Sequence, residues 1–173
     1  ELTESLKGLP TRTTQFGRFD KGLAYTILMK YYMHEKNWAK AEECGRELLK
    51  AEYGYGLMDR YADIFTLENE GNKEIIFACT EERGTNLQLW HDHALPGNYP
   101  TKNASIQKWD GYKVPWPFYR TFEEGDDRLS VLVGEYVGTD GVLFNEESDI
   151  AKHGNLYSGA VPVKYGEDPE STG

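Results

Sequence analysis

The chain has 173 residues, 29 acidic against 19 basic, for a formal net charge of −10. Its 39% hydrophobic and 13% aromatic content is that of a globular domain with a real core and excludes a disordered segment. The acidic balance opposes nucleic acid, whose phosphates need cationic neutralisation, and suits neutral ligands; no apolar run approaches the ~20 residues of a membrane span.

The opening ELTESLKGLP has neither a basic leader nor an apolar h-region, so no signal peptide is expected within it. With no initiating Met and an end, GEDPESTG, that reads as loop, the expectation is a processed protein or a piece of a larger one. From Gly17 to Glu52 the period is helical. Ala24, Ile27, Leu28 and Tyr31 follow the i, i+3, i+4, i+7 rule, widened by Tyr25, Met29 and Tyr32. The polar HEKN interrupts, Asn37 reads as an N-cap, and a second helix carries Trp38, Ala41, Cys44 and Leu48 on its core stripe. So short a connection predicts an antiparallel helical hairpin, with Trp38 in its core. Tyr25, Leu28, Tyr32, Trp38, Ala41 and Leu48 fall near the tetratricopeptide pattern, although Gly45 stands where that repeat usually has a bulky ring.

YADIF at 61–65 reads as a short helix and KEIIFACT at 73–80 as a buried strand. Residues 81–114 show no sustained period and are rich in Gly, Asn, Thr and Trp; a loop that long is usually functional. A short helix is expected to start near Pro115, RLSVLVGEYV–GTDG–VLF predicts a β-hairpin, and one helical turn is placed near Glu146. Cys44 is expected to be buried, and nothing in its spacing from Cys79 argues for a bridge. The expected architecture is mainly α. Residues 1–80 form a tetratricopeptide-like hairpin plus a short helix and strand. Residues 81–173 form an irregular aromatic loop region with a short helix and a β-hairpin, in the same domain.

Four stretches in order resemble one family. GRFDKGLAYTILMKYYMHEKNWAKAEECGRELL is similar to the Gly-Arg-x-x-Lys-Gly hairpin of the SusD/RagB family of Bacteroidetes outer-membrane glycan-binding lipoproteins. YGYGLMDRYADIF followed by NKEIIF resembles the family's Tyr-x-Leu…Tyr…Phe segment and Glu-Ile-Ile-Phe strand. KVPWPFYRTFEEGDDR resembles its proline–aromatic stretch and Asp-x-Arg corner, and VPVKYGED its Lys-Tyr stretch. Phe19 and Asp20 depart from the small and hydroxyl residues often seen after Gly-Arg, and neither the lipidated Cys nor the C-terminal Arg-Tyr-Ala-Asp helix is present. The resemblance implies the central region of a larger, mostly helical protein without enzymatic activity, held at the outer-membrane surface by a lipid anchor outside this chain. Its implied partners are an oligosaccharide and a TonB-dependent transporter of the SusC type. It assigns Asp127 and Arg128 to structural hydrogen bonding.

The loop chemistry points the same way. A pyranose presents axial C–H groups that the negative face of an indole or phenol attracts, so rings bind sugars without charge and with little side-chain entropy to lose. The candidate platform is Trp90, Tyr99, Trp109 and Tyr112, with Trp116 as a further ring. Asp110-Gly111 is a turn that would expose its two neighbours. Asn86, His91, Asp92, Asn103 and Lys108 are the candidate hydrogen-bonding rim. The competing reading is that long loops need miniature cores, and Trp116, Phe118 and Tyr119 lean to that role.

Other chemistries find little support. Glu123, Glu124, Asp126 and Asp127 are adjacent, whereas a glycosidase needs two carboxylates about 5–10 Å apart across the scissile bond. His91 and His93 would share a face of an extended strand, but zinc needs a third ligand. No EF-hand, P-loop or dinucleotide pattern is present, so no cofactor is expected. The alternative function is a helical-repeat protein–protein interaction module with the rings as anchors.

Overall fold

A computed structural model describes residues 1–81, 85, 89–150 and 154–170. The chain divides into two compact units: Glu1–Asp59 with Gly71–Thr80, and Arg60–Glu70 with Glu81–Gly173.

The first unit contains a short helix α1 (Leu2–Ser5) and the hairpin of α2 (Lys21–His34) and α3 (Trp38–Leu48). Helix α2 starts at Lys21 and not at Gly17, because the preceding Asp20 takes the cap. Its Oδ1 accepts from Leu23 N at 2.9 Å, and its Oδ2 ties Thr13 N at 3.1 Å. Asn37 caps α3 as expected, accepting from Lys40 N at 3.3 Å. The helices bury Gly22, Ala24 and Leu28 on one side and Ala41, Cys44 and Leu48 on the other. The stripe is narrower than the periodicity implies. Ile27 and Tyr31 stay exposed, and so does Trp38 at 63%. A single partner helix covers only one strip, and Trp38 is the first residue of α3, short of the first buried residue, Ala41. Gly22 is a close-approach position. A Cβ there would stand 1.9 Å from the Tyr55 hydroxyl, which occupies that space.

KEIIFACT forms no strand. Ile75 and Ile76 are half-buried and Phe77 is exposed. No ladder partner pairs with the run among the described residues. It is fastened to YGYGLM instead: Gly56 N donates to Lys73 O at 3.1 Å and Met58 N to the Glu74 carboxylate at 2.9 Å. Cys44 is buried and Cys79 exposed, both as free thiols.

The second unit has a 3-10 turn at Ala62–Phe65, where YADIF predicted a helix. Its helices are α4 (Trp90–Ala94), α5 (Trp116–Tyr119) and α6 (Glu146–Ile150). The strands are β1 (Val114–Pro115), β2 (Leu132–Val133), β3 (Glu135–Val137), β4 (Leu143–Asn145) and β5 (Gly159–Pro162). The buried β5 lies between β1 and β2, antiparallel to both, pairing Val114 with Ala160 and Val133 with Val161. Gly159 is required here, since a Cβ would fall 2.1 Å from Val114 O. The expected hairpin is shorter than its sequence: β3 pairs with β4, Tyr136 opposite Phe144, while β2 leaves to pair with β5. The core gathers Ala94, Leu95, Trp116, Tyr136, Leu156, Ala160 and Val161. Among the described residues no helix is long and apolar enough to cross a membrane.

Candidate functional site

The aromatic loop is organised by a helix that the sequence did not announce. Helix α4 places Trp90 and His93 three residues apart, on one side. Its terminal carbonyls, which a helix leaves unpaired, receive the chain that returns at 107–112. Trp109 N donates to Asp92 O at 2.6 Å, Asp110 N to Leu95 O at 3.0 Å, and Gly111 N and Tyr112 N to His93 O at 2.6 and 2.8 Å. The buried Asp92 carboxylate adds Gln107 N at 2.6 Å. Asp110 takes a left-handed φ of 56°, tolerable for Asp, and this turns the chain between the two rings that flank it.

The outcome is two presented rings on a fastened backbone. Trp109 is 52% exposed and Tyr112 43%. The His93 ring lies between them, edge-on to Trp109 at 4.7 Å and stacked on Tyr112 at 5.0 Å. Tyr112 in turn meets Trp90 at 5.4 Å. The series continues through Tyr165 at 5.4 Å, Phe65 at 5.8 Å and Tyr61 at 5.2 Å, giving a ribbon of seven rings. Lys113 pairs with Asp110 beside the exposed end.

The remaining candidates separate by burial. Trp90 is half-buried and donates its indole N–H to Pro162 O at 2.9 Å. Tyr99 packs against the core beside Tyr136 at 5.0 Å, and burial, with Glu167 nearby, pushes its hydroxyl pKa up. Trp116 is a core ring at 7% exposure, with Nε1 donating to Leu156 O at 2.8 Å, so its faces are covered by protein. Its proline–aromatic context in the sequence leans the same way.

Four of the five expected rim residues are engaged in structural hydrogen bonds. Asp92 holds the loop as described. Buried Asn103 donates to Asp168 O at 2.8 Å and accepts from Ser105 N. Lys108 Nζ donates to Tyr99 O at 2.7 Å, and His91 Nε2 sits 3.0 Å from Tyr165 O. Asn86 lies outside the described residues. Four rings of the ribbon, His93, Tyr165, Phe65 and Tyr61, are not among the platform residues expected from sequence. His93 at position i+3 from Trp90 becomes a signal only once 90–94 is known to be helical.

His91 and His93 are on a helix and not on a strand, and among the described residues no three His, Cys, Asp or Glu side chains are placed to hold a metal. In the acidic cluster, Asp126 is gripped by Arg128 through Nε at 2.9 Å and Nη2 at 2.5 Å. Those bonds hold its carboxyl down at about 2. Asp127 accepts from Tyr61 N at 2.5 Å. Glu123 and Glu124 are exposed. Two of the four acids are therefore engaged in fastening the corner.

No family model matches the sequence, and no curated protein matches it. Solved structures do. Surface glycan-binding protein A from Bacteroides thetaiotaomicron matches 99% of this chain and 41% of its own, with a TM-score of 0.72 at 18% identity. A further structure of that protein is in complex with laminarihexaose. A SusD superfamily protein from Bacteroides vulgatus matches 99% of this chain and 37% of its own, with a TM-score of 0.65 at 20% identity. A SusD-like protein from Bacteroides fragilis matches 73% of this chain with a TM-score of 0.54 at 22% identity. The chain thus shares the fold of a stretch of these SusD-type structures, and spans about two fifths of the length of the first two.

Proposed function

We propose that the chain belongs to a non-catalytic glycan-binding protein of the bacterial outer-membrane surface, which passes oligosaccharide to a TonB-dependent transporter of the SusC type. The observation that carries the reading is the pair Trp109 and Tyr112: two large rings, about half exposed, on a loop whose backbone is fastened to α4. A contiguous exposed aromatic patch on a fastened backbone marks an interaction surface, and rigid rings lose little entropy when a ligand covers them. Sugar fits the geometry, because the rings lie in a contiguous series and the Lys113 and Asp110 charges beside them pair with each other. The fold likeness supports it too, since one structural neighbour is a glycan-binding protein solved with laminarihexaose. Each stacked ring contributes about 1 kcal/mol, so two or three rings with a few hydrogen bonds give roughly millimolar to micromolar affinity. Affinity in that range suits a carrier that must release its cargo.

Calorimetric titration of the full-length protein against a panel of neutral oligosaccharides, laminarihexaose among them, tests the proposal. Saturable heat with at least one glycan is expected. Silence across the panel from a folded protein would count against it.

The second reading, a protein-interaction module, draws on a different observation. The hairpin exposes Ile27, Tyr31, Met33 and Trp38, all large apolar residues. The two readings are compatible, because a carrier must also dock to its transporter. Pull-down with the full-length protein separates their surfaces: a protein partner retained by the Trp109→Ala variant belongs to a surface other than the ring platform.

A further inference from the structure

Trp90 has a second role in the second unit. It lines a cavity of about 210 Å³ together with Tyr61, Phe122 and Leu132, and two cations, Arg128 and Lys164, stand in the same wall. The two cations are in different states. Arg128 is already engaged by Asp126 and lies over the Phe122 ring at 4.8 Å. Lys164 Nζ stands over Phe65 at 4.1 Å and near Tyr165 at 5.7 Å. Among the described residues no carboxylate lies within ion-pair distance of it. The nearby acids are committed, Asp126 to Arg128 and Asp127 to Tyr61 N. A ring face stabilises an ammonium but does not neutralise it. Among the described residues the cavity is therefore apolar-walled with one positive charge that no carboxylate compensates, in a chain of net charge −10.

We infer that this cavity is a subsite for a sugar residue bearing a carboxylate, its apolar face against Trp90 and its carboxylate on the Lys164 ammonium. The inference rests on the glycan-binding reading, because Trp90 belongs both to the ring ribbon and to the cavity wall, so one oligosaccharide can run from the Trp109 end into the cavity. The chain's overall negative charge opposes a uniformly charged polyanion. The ligand class is thus a largely neutral glycan that carries single uronic acid residues.

The test pairs each neutral oligosaccharide of the panel with a counterpart in which one terminal residue is a uronic acid. Both are titrated calorimetrically into the full-length protein and into its Lys164→Gln and Lys164→Arg variants, at low and high salt. In the wild type the uronic acid member of a binding pair gains about tenfold in affinity, the size expected of a hydrogen bond to a charged group. Salt erodes that gain, Lys164→Gln brings the two members together, and Lys164→Arg keeps them apart. Equal or weaker binding of every acidic member overturns the subsite while leaving the neutral platform standing. A gain that survives Lys164→Gln also overturns it. If no member of any pair binds, both the subsite and the glycan-binding reading fall.

Discussion

Trp38 in the α2–α3 hairpin and Trp109 in the loop behind α4 are both more than half exposed, yet they are held in different ways. Around Trp38 everything is local. The helices make their own hydrogen bonds, Asp20 and Asn37 cap them from one residue away, and small residues meet along one strip. Trp38 is exposed because that strip ends before reaching it. Around Trp109 the bonds are long in sequence. Segment 107–112 is tied to 92–95 through five backbone N–H groups, and the ring is flanked by His93. Exposure in the hairpin is what a narrow packing stripe leaves over. Exposure in the loop is held in place by a dedicated set of hydrogen bonds, and that marks it as the better candidate for function.

The sharpest way to break this contrast is to remove rings and measure stability. Trp116→Ala is expected to cost about 3–5 kcal/mol in urea unfolding, from the cavity left and from the Leu156 carbonyl deprived of its donor. Asp92→Ala is next, at about 1–3 kcal/mol, because Gln107 N is left without its acceptor in a buried site. It should also loosen 107–112 and so weaken the proposed glycan binding, although the Asp92 carboxylate is itself buried. An Asp92→Ala protein with wild-type stability and affinity would show that the loop does not depend on α4 for its order.

This difference also explains what could be read in advance. The hairpin was legible because helical periodicity and an N-cap are local signals; Asn37, Ala41, Cys44 and Leu48 all do what their spacing announces. Its exposed side was not legible, since Ile27, Tyr31 and Trp38 look like core residues and only the width of the partner decides. KEIIFACT has strand composition but finds no strand to pair with among the described residues, and a strand is a property of two segments. In the loop, the Asp110-Gly111 turn and the exposure of its neighbours were visible in the sequence. That Asp92 and Asn103 would be buried as backbone acceptors and donors was not, because their partners are 15 and 65 residues away.

Smaller effects sharpen the comparison. Trp109→Ala and Tyr112→Ala should each lower glycan affinity by up to about tenfold, roughly 1.4 kcal/mol, at a stability cost well below that of Trp116→Ala, since both rings are about half exposed. Trp38→Ala should leave stability within about 0.5 kcal/mol. A loss as large as that at Trp116 would place the Trp38 ring in a core after all.

The least disruptive test is by pH. Asp126 is held at about 2 by hydrogen bonds from the Arg128 side chain and backbone N–H. A depressed carboxyl supports the fold above its ordinary value of about 3.9 and loses that support as pH falls toward 2. Arg128→Gln should therefore raise the Asp126 midpoint toward the ordinary value in an NMR titration, and flatten the dependence of stability on pH across that interval. An unmoved midpoint would mean that the corner is fastened by something other than this pair.

The measurement that bears most directly on the whole account is calorimetric titration of neutral oligosaccharides into the full-length wild type and into a Trp109→Ala/Tyr112→Ala double variant, with unfolding curves recorded on both. The account predicts saturable binding by the wild type, its loss or near-loss in the double variant, and a double variant that still unfolds in one cooperative transition. A double variant that binds glycan as the wild type does, with its fold intact, would contradict the claim that these two rings receive the sugar.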